Sequence, residues 1–227
     1  MNNPDNHHGK TAPAFTLIEL LVMIAIISVL AALIFPVAGA IKKKAIKVRA
    51  QTELAQVETA IERYKAKQGF YPPGNPDNPA INQLYFELLG TTKLNNGDYQ
   101  TLDGSGQITA AGLGATFGPQ VTGFVNSSTT GGGDDGPVAT AFLTGLKPAQ
   151  YGIPDTNFPA LKLLVCSVPW PDNLAFQPVP AKPGLNPWRY VSSHPTNNPS
   201  SYDLWTDIMI GGRTNRISNW SRQPQIF

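Results

Sequence analysis

One carboxylate stands inside the longest apolar run of the chain. Glu19 is the only charged residue between Phe15 and Pro36, a stretch otherwise built of Leu, Ile, Val, Ala, Met and Phe with Thr16 and Ser28. A charge in apolar surroundings is costly unless paired, so its presence is read as functional. Other candidate groups carry less. Ser192, Ser193, His194 and Asp203 have the side-chain types of a nucleophilic triad, but a triad is a geometry, and these residues sit in a loop among prolines. His7 and His8 are too few for a zinc site and read as a solvated tail. Gly131-Gly-Gly-Asp-Asp-Gly136 lacks the alternating oxygen ligands and closing Glu of an EF-hand and reads as a flexible loop. The single Cys166 cannot form an internal disulfide, and its apolar run Leu161–Val168 makes it a buried, inert thiol. Trp170, Trp188, Trp205 and Trp220 read mainly as packing residues, with a carbohydrate or protein surface as the rival reading. No phosphate loop, zinc pattern or dinucleotide fingerprint is present. The reading is of a protein that is not an enzyme.

Glu19 is positioned by a helix. An apolar run of over twenty residues spans the roughly 30 Å hydrocarbon core of a bilayer, so residues 15–41 are expected to cross a membrane. Beyond Pro36 the pattern turns amphipathic over 42–68. Ile46, Ala50, Leu54, Val57, Ile61 and Tyr64 recur at spacings of four and three, with Glu53, Glu58, Glu62, Arg63 and Lys65 largely off that stripe. Gly69 stops the helix and Pro72-Pro73 prevents resumption. The whole element, from Phe15 to Gln68, would measure about 80 Å, loosened in the middle at Pro36 and Gly39. Lys42, Lys43, Lys44, Lys47 and Arg49 follow the span, either at lipid headgroups or on a solvated face. Charge placement alone would put the C-terminal part in the cytoplasm.

Ala14-Phe15-Thr16-Leu17-Ile18-Glu19-Leu20-Leu21 resembles the processing site of type IV prepilins and type II secretion pseudopilins. The resemblance implies a leader at 1–14, a cut between Ala14 and Phe15, N-methylation of Phe15, and an assembly role for Glu19 as fifth residue of the mature chain. It places Pro36 at the family's helix-bending position. Gly usually precedes the cut; here it is Ala14. Implied partners are a prepilin peptidase, copies of the chain or other pilin-like subunits, an inner-membrane assembly platform and lipid. The implied location is a single-pass inner-membrane protein with its head periplasmic or extracellular, opposite to the charge rule. A secretory signal cut near Pro36-Val-Ala-Gly-Ala40 is the rival, which the placement of Glu19 disfavours. With a net charge of +2, nothing indicates nucleic acid.

Residues 69–227 read as one loop-rich head, as the whole chain's 21 Gly, 21 Pro and only 14% charged residues suggest. Gly69-Phe-Tyr-Pro-Pro73 resembles the Gly-x-Tyr-Pro turn of pseudopilins. A short helix is expected from Asn78 and Pro79 to Gly90, its face marked by Ile81, Leu84, Tyr85, Leu88 and Leu89. Residues 91–136 are weakly patterned. Val138–Leu146 suggests a short helix, Leu161–Val168 a buried strand, and the proline-rich 169–187 irregular chain. Asn186-Pro-Trp-Arg-Tyr-Val191 with Ser201-Tyr-Asp-Leu-Trp205 resembles the C-terminal sheet of major type II pseudopilins. Gly211-Gly212 marks a turn and Arg213–Trp220 a return strand. In the secretion family the corresponding loop is acidic and binds calcium. Here Arg213 and Arg216 replace carboxylates, leaving Asp203, Asp207 and Asn215 as weak candidates, and no cofactor is expected. The expected fold is α+β and type IV pilin-like, a long N-terminal helix packed on a small antiparallel C-terminal sheet with long loops. The expected function is that of a structural subunit of a type II secretion pseudopilus or related type IV filament. The alternative is a membrane-tethered, lectin-like binding module that forms no filament.

Overall fold

The computed structural model describes residues 15–130, 136 and 138–227, apart from the side chains of 33–38. Ala14, the leader, and residues 131–135 of the glycine–aspartate run therefore lie outside the described residues, as does the side chain of Pro36, where a bend was expected. The chain divides into two units, 1–44 and 45–227.

Helix α1 runs Leu17–Gln68. It ends as the sequence requires. Gly69 takes φ 86°, a conformation that side chains with a Cβ resist, and its N–H bonds Lys65 O at 2.8 Å. Lys65 and Lys67 sit in the last turn, where the helix dipole favours cations. In the first unit the large apolar side chains from Leu17 to Leu30 are exposed on every side of the helix. Among the described residues no helix is long and apolar enough to cross a membrane, so the span expected over 15–41 is not confirmed.

In the second unit, Ala50, Leu54, Val57, Ile61 and Tyr64 are buried and Ile46 packs at their margin, so the predicted stripe is the core face of α1. Helix α2 is only Leu84–Leu89, shorter than predicted. Upstream, asparagines hold the backbone in turns: Ala80 N donates to Asn78 Oδ1 at 3.2 Å and Leu84 N to Asn82 Oδ1 at 3.1 Å. All six α2 residues are buried, so it is a core helix and not an amphipathic one. Gly90 closes it with φ 72° where a Cβ would lie 2.9 Å from Thr140 O.

The weakly patterned region folds after all. Strands β1 (Thr91–Lys93), β2 (Tyr99–Thr101), β3 (Gln107–Ile108) and β4 (Ser127–Thr129) form a sheet in the order β3-β2-β1-β4, with β1 and β4 parallel. Two- and three-residue strands are too short to show alternation. Helix α3, Ala110–Phe117, carries two glycines and depends on Thr109, which caps Gly112 N at 3.0 Å. The helix expected at 138–146 does not form. Asn126 bonds both backbone groups of Thr140, and Phe142 N and Leu143 N both donate to Leu88 O, so this segment docks as extended chain on the end of α2.

Strands β5 (Tyr151–Gly152) and β6 (Leu163–Leu164) pair antiparallel, the second lying in the predicted apolar run. The terminal sheet is antiparallel, β10-β9-β8-β7, from β7 (Arg189–Val191), β8 (Asp203–Ile210), β9 (Arg213–Ser218) and β10 (Ser221–Ile226). Gly211 and Gly212, at φ 60° and 77°, make the tight β8–β9 turn. Strand β10 was not foreseen. Tyr190, Leu204, Ile208 and Ile217 turn one face of this sheet into the core shared with α1.

Candidate functional site

The N-terminal site is built on the first turn of α1. Phe15 is exposed just ahead of the helix. Thr16 N and Thr16 Oγ1 donate to Glu19 Oε2 at 2.8 and 2.7 Å, and Glu19 N faces Thr16 Oγ1 at 3.3 Å. This is a capping box, two orphan amides satisfied reciprocally, with the carboxylate at the positive end of the helix dipole. Thr16 is a residue the functional reading of the sequence missed. The signal was there, as Thr-x-x-Glu ahead of an apolar run. Glu19 Oε1 accepts no bond among the described residues, so one oxygen is held by the helix and one is open to another donor.

The head is fastened to α1 by two buried carboxylates. Glu87, on α2, accepts from Tyr64 Oη at 3.0 Å, Val125 N at 2.9 Å and Asn126 N at 3.0 Å. It ties α1, α2 and the approach to β4 together. Burial holds its carboxyl above the ordinary range, against the pull of those donors. Glu53, expected off the core stripe, is buried on it and accepts from Ser167 N at 2.9 Å and from Ser167 Oγ. Beside it, burial pushes the Cys166 thiol up to about 12, which leaves it un-ionised and inert.

The terminal sheet spends its acidic groups internally. Asp203 accepts from Thr196 N, Asn197 N, Asn197 Nδ2 and Asn198 N at 2.9–3.0 Å, so it folds the preceding loop and is not aimed at His194. No Ser–His–Asp triad is thereby assembled around Asp203. Asp207 receives a two-pronged bond from Arg216, Nε at 2.8 Å and Nη2 at 3.1 Å, with Arg189 Nη1 at 3.8 Å. Desolvation lowers the Arg189 guanidinium's affinity for its proton, and the bond to Asp207 raises that of Arg216. Asn215 pairs with Ile208, on the opposite face from Asp207, and donates to Arg213 O at 3.0 Å. The three calcium candidates thus do not converge. Two guanidiniums beside one carboxylate supply positive charge where a dication needs negative, and the residues do not fit such an ion. Among the described residues no group of three or more His, Cys, Asp and Glu side chains is placed to hold a metal. A chelator is accordingly expected to leave the melting temperature of the full chain unchanged. A site filled at 100 times its dissociation constant contributes about 2.7 kcal/mol, so a fall of several degrees in a calorimeter would show the loop misread. Of the tryptophans, Trp188 and Trp170 are buried, while Trp205 and Trp220 are half-buried and meet edge-on at 5.7 Å.

A long N-terminal helix with small, mostly antiparallel sheets defines an α+β architecture compatible with a pilin-like fold. No family model matches the chain, and no solved structure matches it. Two curated proteins do. Over 61 residues it is 41% identical to the type II secretion system core protein G of Escherichia coli (strain K12), covering 27% of this chain and 42% of that protein. Over 70 residues it is 34% identical to the protein of the same name from Pectobacterium carotovorum subsp. carotovorum, covering 31% and 45%. The chain spans less than half the length of these curated relatives. The matches support a relationship to secretion pseudopilins, and both named relatives are core proteins of a type II secretion system.

Proposed function

We infer that the chain is a structural subunit of a type II secretion pseudopilus or a related type IV filament. On this reading it is inserted in the inner membrane with its head outside, cut between Ala14 and Phe15 and methylated on Phe15 by a prepilin peptidase. It then assembles through α1 with copies of itself or other pilin-like subunits, on an inner-membrane platform. The observation that carries the reading is the helix itself. Its apolar side chains from Leu17 to Leu30 are exposed on all faces, with Glu19 the only charge among them. A helix apolar all round needs lipid or like helices around it. The relationship to core protein G supports the same reading. Glu19, half used by its capping box, has one oxygen to offer the amine of a neighbouring Phe15.

The test is expression beside a secretion system of this class. The chain is expected in the sheared filament fraction when the peptidase is active and to remain in the membrane fraction when the peptidase is inactivated. Equal recovery of sheared material in both strains would contradict processing-dependent assembly.

A further inference from the structure

The filament reading leaves a run of lysines on α1 unused. Lys42, Lys43 and Lys44 are all exposed. None of the three belongs to an ion pair among the described residues. No Asp or Glu stands between Glu19 and Glu53, so nothing within a turn of the helix balances their charge. Successive residues of an α-helix are about 100° apart, so the three ammonium groups fan out in three directions round it. Lys47 and Arg49 follow in the sequence and carry the same sign. On the other side of the lysines the helix is apolar. From Leu17 to Ile41 its only charge is Glu19, and Ile41 itself is exposed. At about 1.5 Å per residue that length is about 36 Å, enough for the roughly 30 Å hydrocarbon core of a bilayer.

We propose that Lys42, Lys43 and Lys44 form a collar that binds anionic phospholipid head groups, phosphatidylglycerol being the simplest, at the membrane surface where α1 emerges. The proposal rests on the reading of α1 as an inserted helix and adds the class of lipid that it selects. The placement of the charges favours lipid over a protein or a nucleic acid. A macromolecule docks on one side of a helix and meets one or two of the three lysines. A head-group layer surrounds an inserted helix and offers every ammonium a phosphate. The long lysine stem lies along the apolar boundary while its charge stays among the phosphates. A zwitterionic head group brings its own cation beside the phosphate, whereas an anionic one keeps its net charge for the lysine. The collar also fixes the depth of the helix, since drawing three ammonium groups into hydrocarbon is costly.

The experiment is electron spin resonance on the full chain reconstituted in phosphatidylcholine vesicles. The probes are traces of phosphatidylglycerol or phosphatidylcholine, spin-labelled at the same acyl-chain position. Lipids touching an inserted helix give a motionally restricted component, and its share for each label yields their relative association constant. Restricted components are expected for both labels, with phosphatidylglycerol favoured about fivefold at low salt, the attraction of roughly one lysine per head group. The preference should shrink in molar salt, which screens such pairs. In the triple variant Lys42→Gln, Lys43→Gln, Lys44→Gln it should fall below about twofold. Gln keeps the helix propensity and the lysines have no ion-pair partners, so the variant's melting curve should match the parent chain. Equal association of the two labels, with the restricted component present, would overturn the collar and leave the inserted helix standing. A preference undiminished in the triple variant would overturn the assignment to these lysines. No restricted component for either label would overturn insertion itself, and the collar with it.

Discussion

Glu87→Ala should be the most damaging single change in the head. The substitution leaves the Tyr64 hydroxyl and the Val125 and Asn126 amides facing a cavity where no water-exposed acceptor replaces the carboxylate. Stranding buried donors costs about 1–3 kcal/mol apiece, and partial relaxation brings the sum to about 3 kcal/mol. For a unit of this size that lowers the melting temperature by roughly 6–12 °C. Glu87→Gln keeps one acceptor oxygen and should fall between. The pH dependence has a definite sign. Burial raises the folded-state value above the ordinary 4.5, so between those two values the folded state holds a proton that the unfolded state has lost. Stability from this group is greatest below the unfolded value and declines as pH rises through the folded one. Glu58, raised by burial and by Glu62, adds to the same slope. Thermal melts of the parent chain should therefore fall as pH climbs from about 4.5, and Glu87→Gln should flatten that slope. A melting temperature unchanged in Glu87→Ala would mean that the carboxylate is not the fastening described.

Glu19→Ala should be inserted and cleaved normally and yet give at least roughly tenfold less filament than the parent chain, since an amine left unpaired in low dielectric is strongly disfavoured. The capping box supplies the control. Removing the box costs about 1 kcal/mol of helix end, and Thr16→Val removes it while sparing the carboxylate. If pairing with a neighbour's amine is what matters, Thr16→Val keeps most of the yield that Glu19→Ala loses. Equal losses in the two variants would assign Glu19 to its own helix, and a normal yield from Glu19→Ala would make it a bystander. The readout is sheared-fraction immunoblotting against precursor level.

What the sequence disclosed follows from the length of each signal. The stripe from Ile46 to Tyr64 repeats over five turns, so the core face of α1 was readable, and Gly69 and Gly211-Gly212 mark turns that few other residues tolerate. The sheet β1–β4 was invisible because its strands are two or three residues long, and α3 was hidden by its glycines. The extended 138–146 segment was misread as helix because its structure is imposed from afar, by Asn126 and Leu88. The same holds for the two fastening carboxylates. Glu53 and Glu87 look like surface residues of amphipathic helices until Ser167, Tyr64 and the Val125–Asn126 amides arrive from distant parts of the chain. Asp203, Asp207 and Asn215 were picked out by type, but the strand register sends Asn215 to the other face and gives Asp207 to Arg216.

In the working protein, α1 is expected to begin at a new amino terminus four residues before Glu19. The most direct measurement is the intact and N-terminal peptide mass of the protein recovered from membranes of a strain with an active prepilin peptidase. The expected result is a chain starting at N-methylated Phe15, with Ala14→Gly cut at least as readily and a bulky residue at 14 blocking the cut. A terminus at Met1, or one created after Ala38 or Ala40, would contradict it.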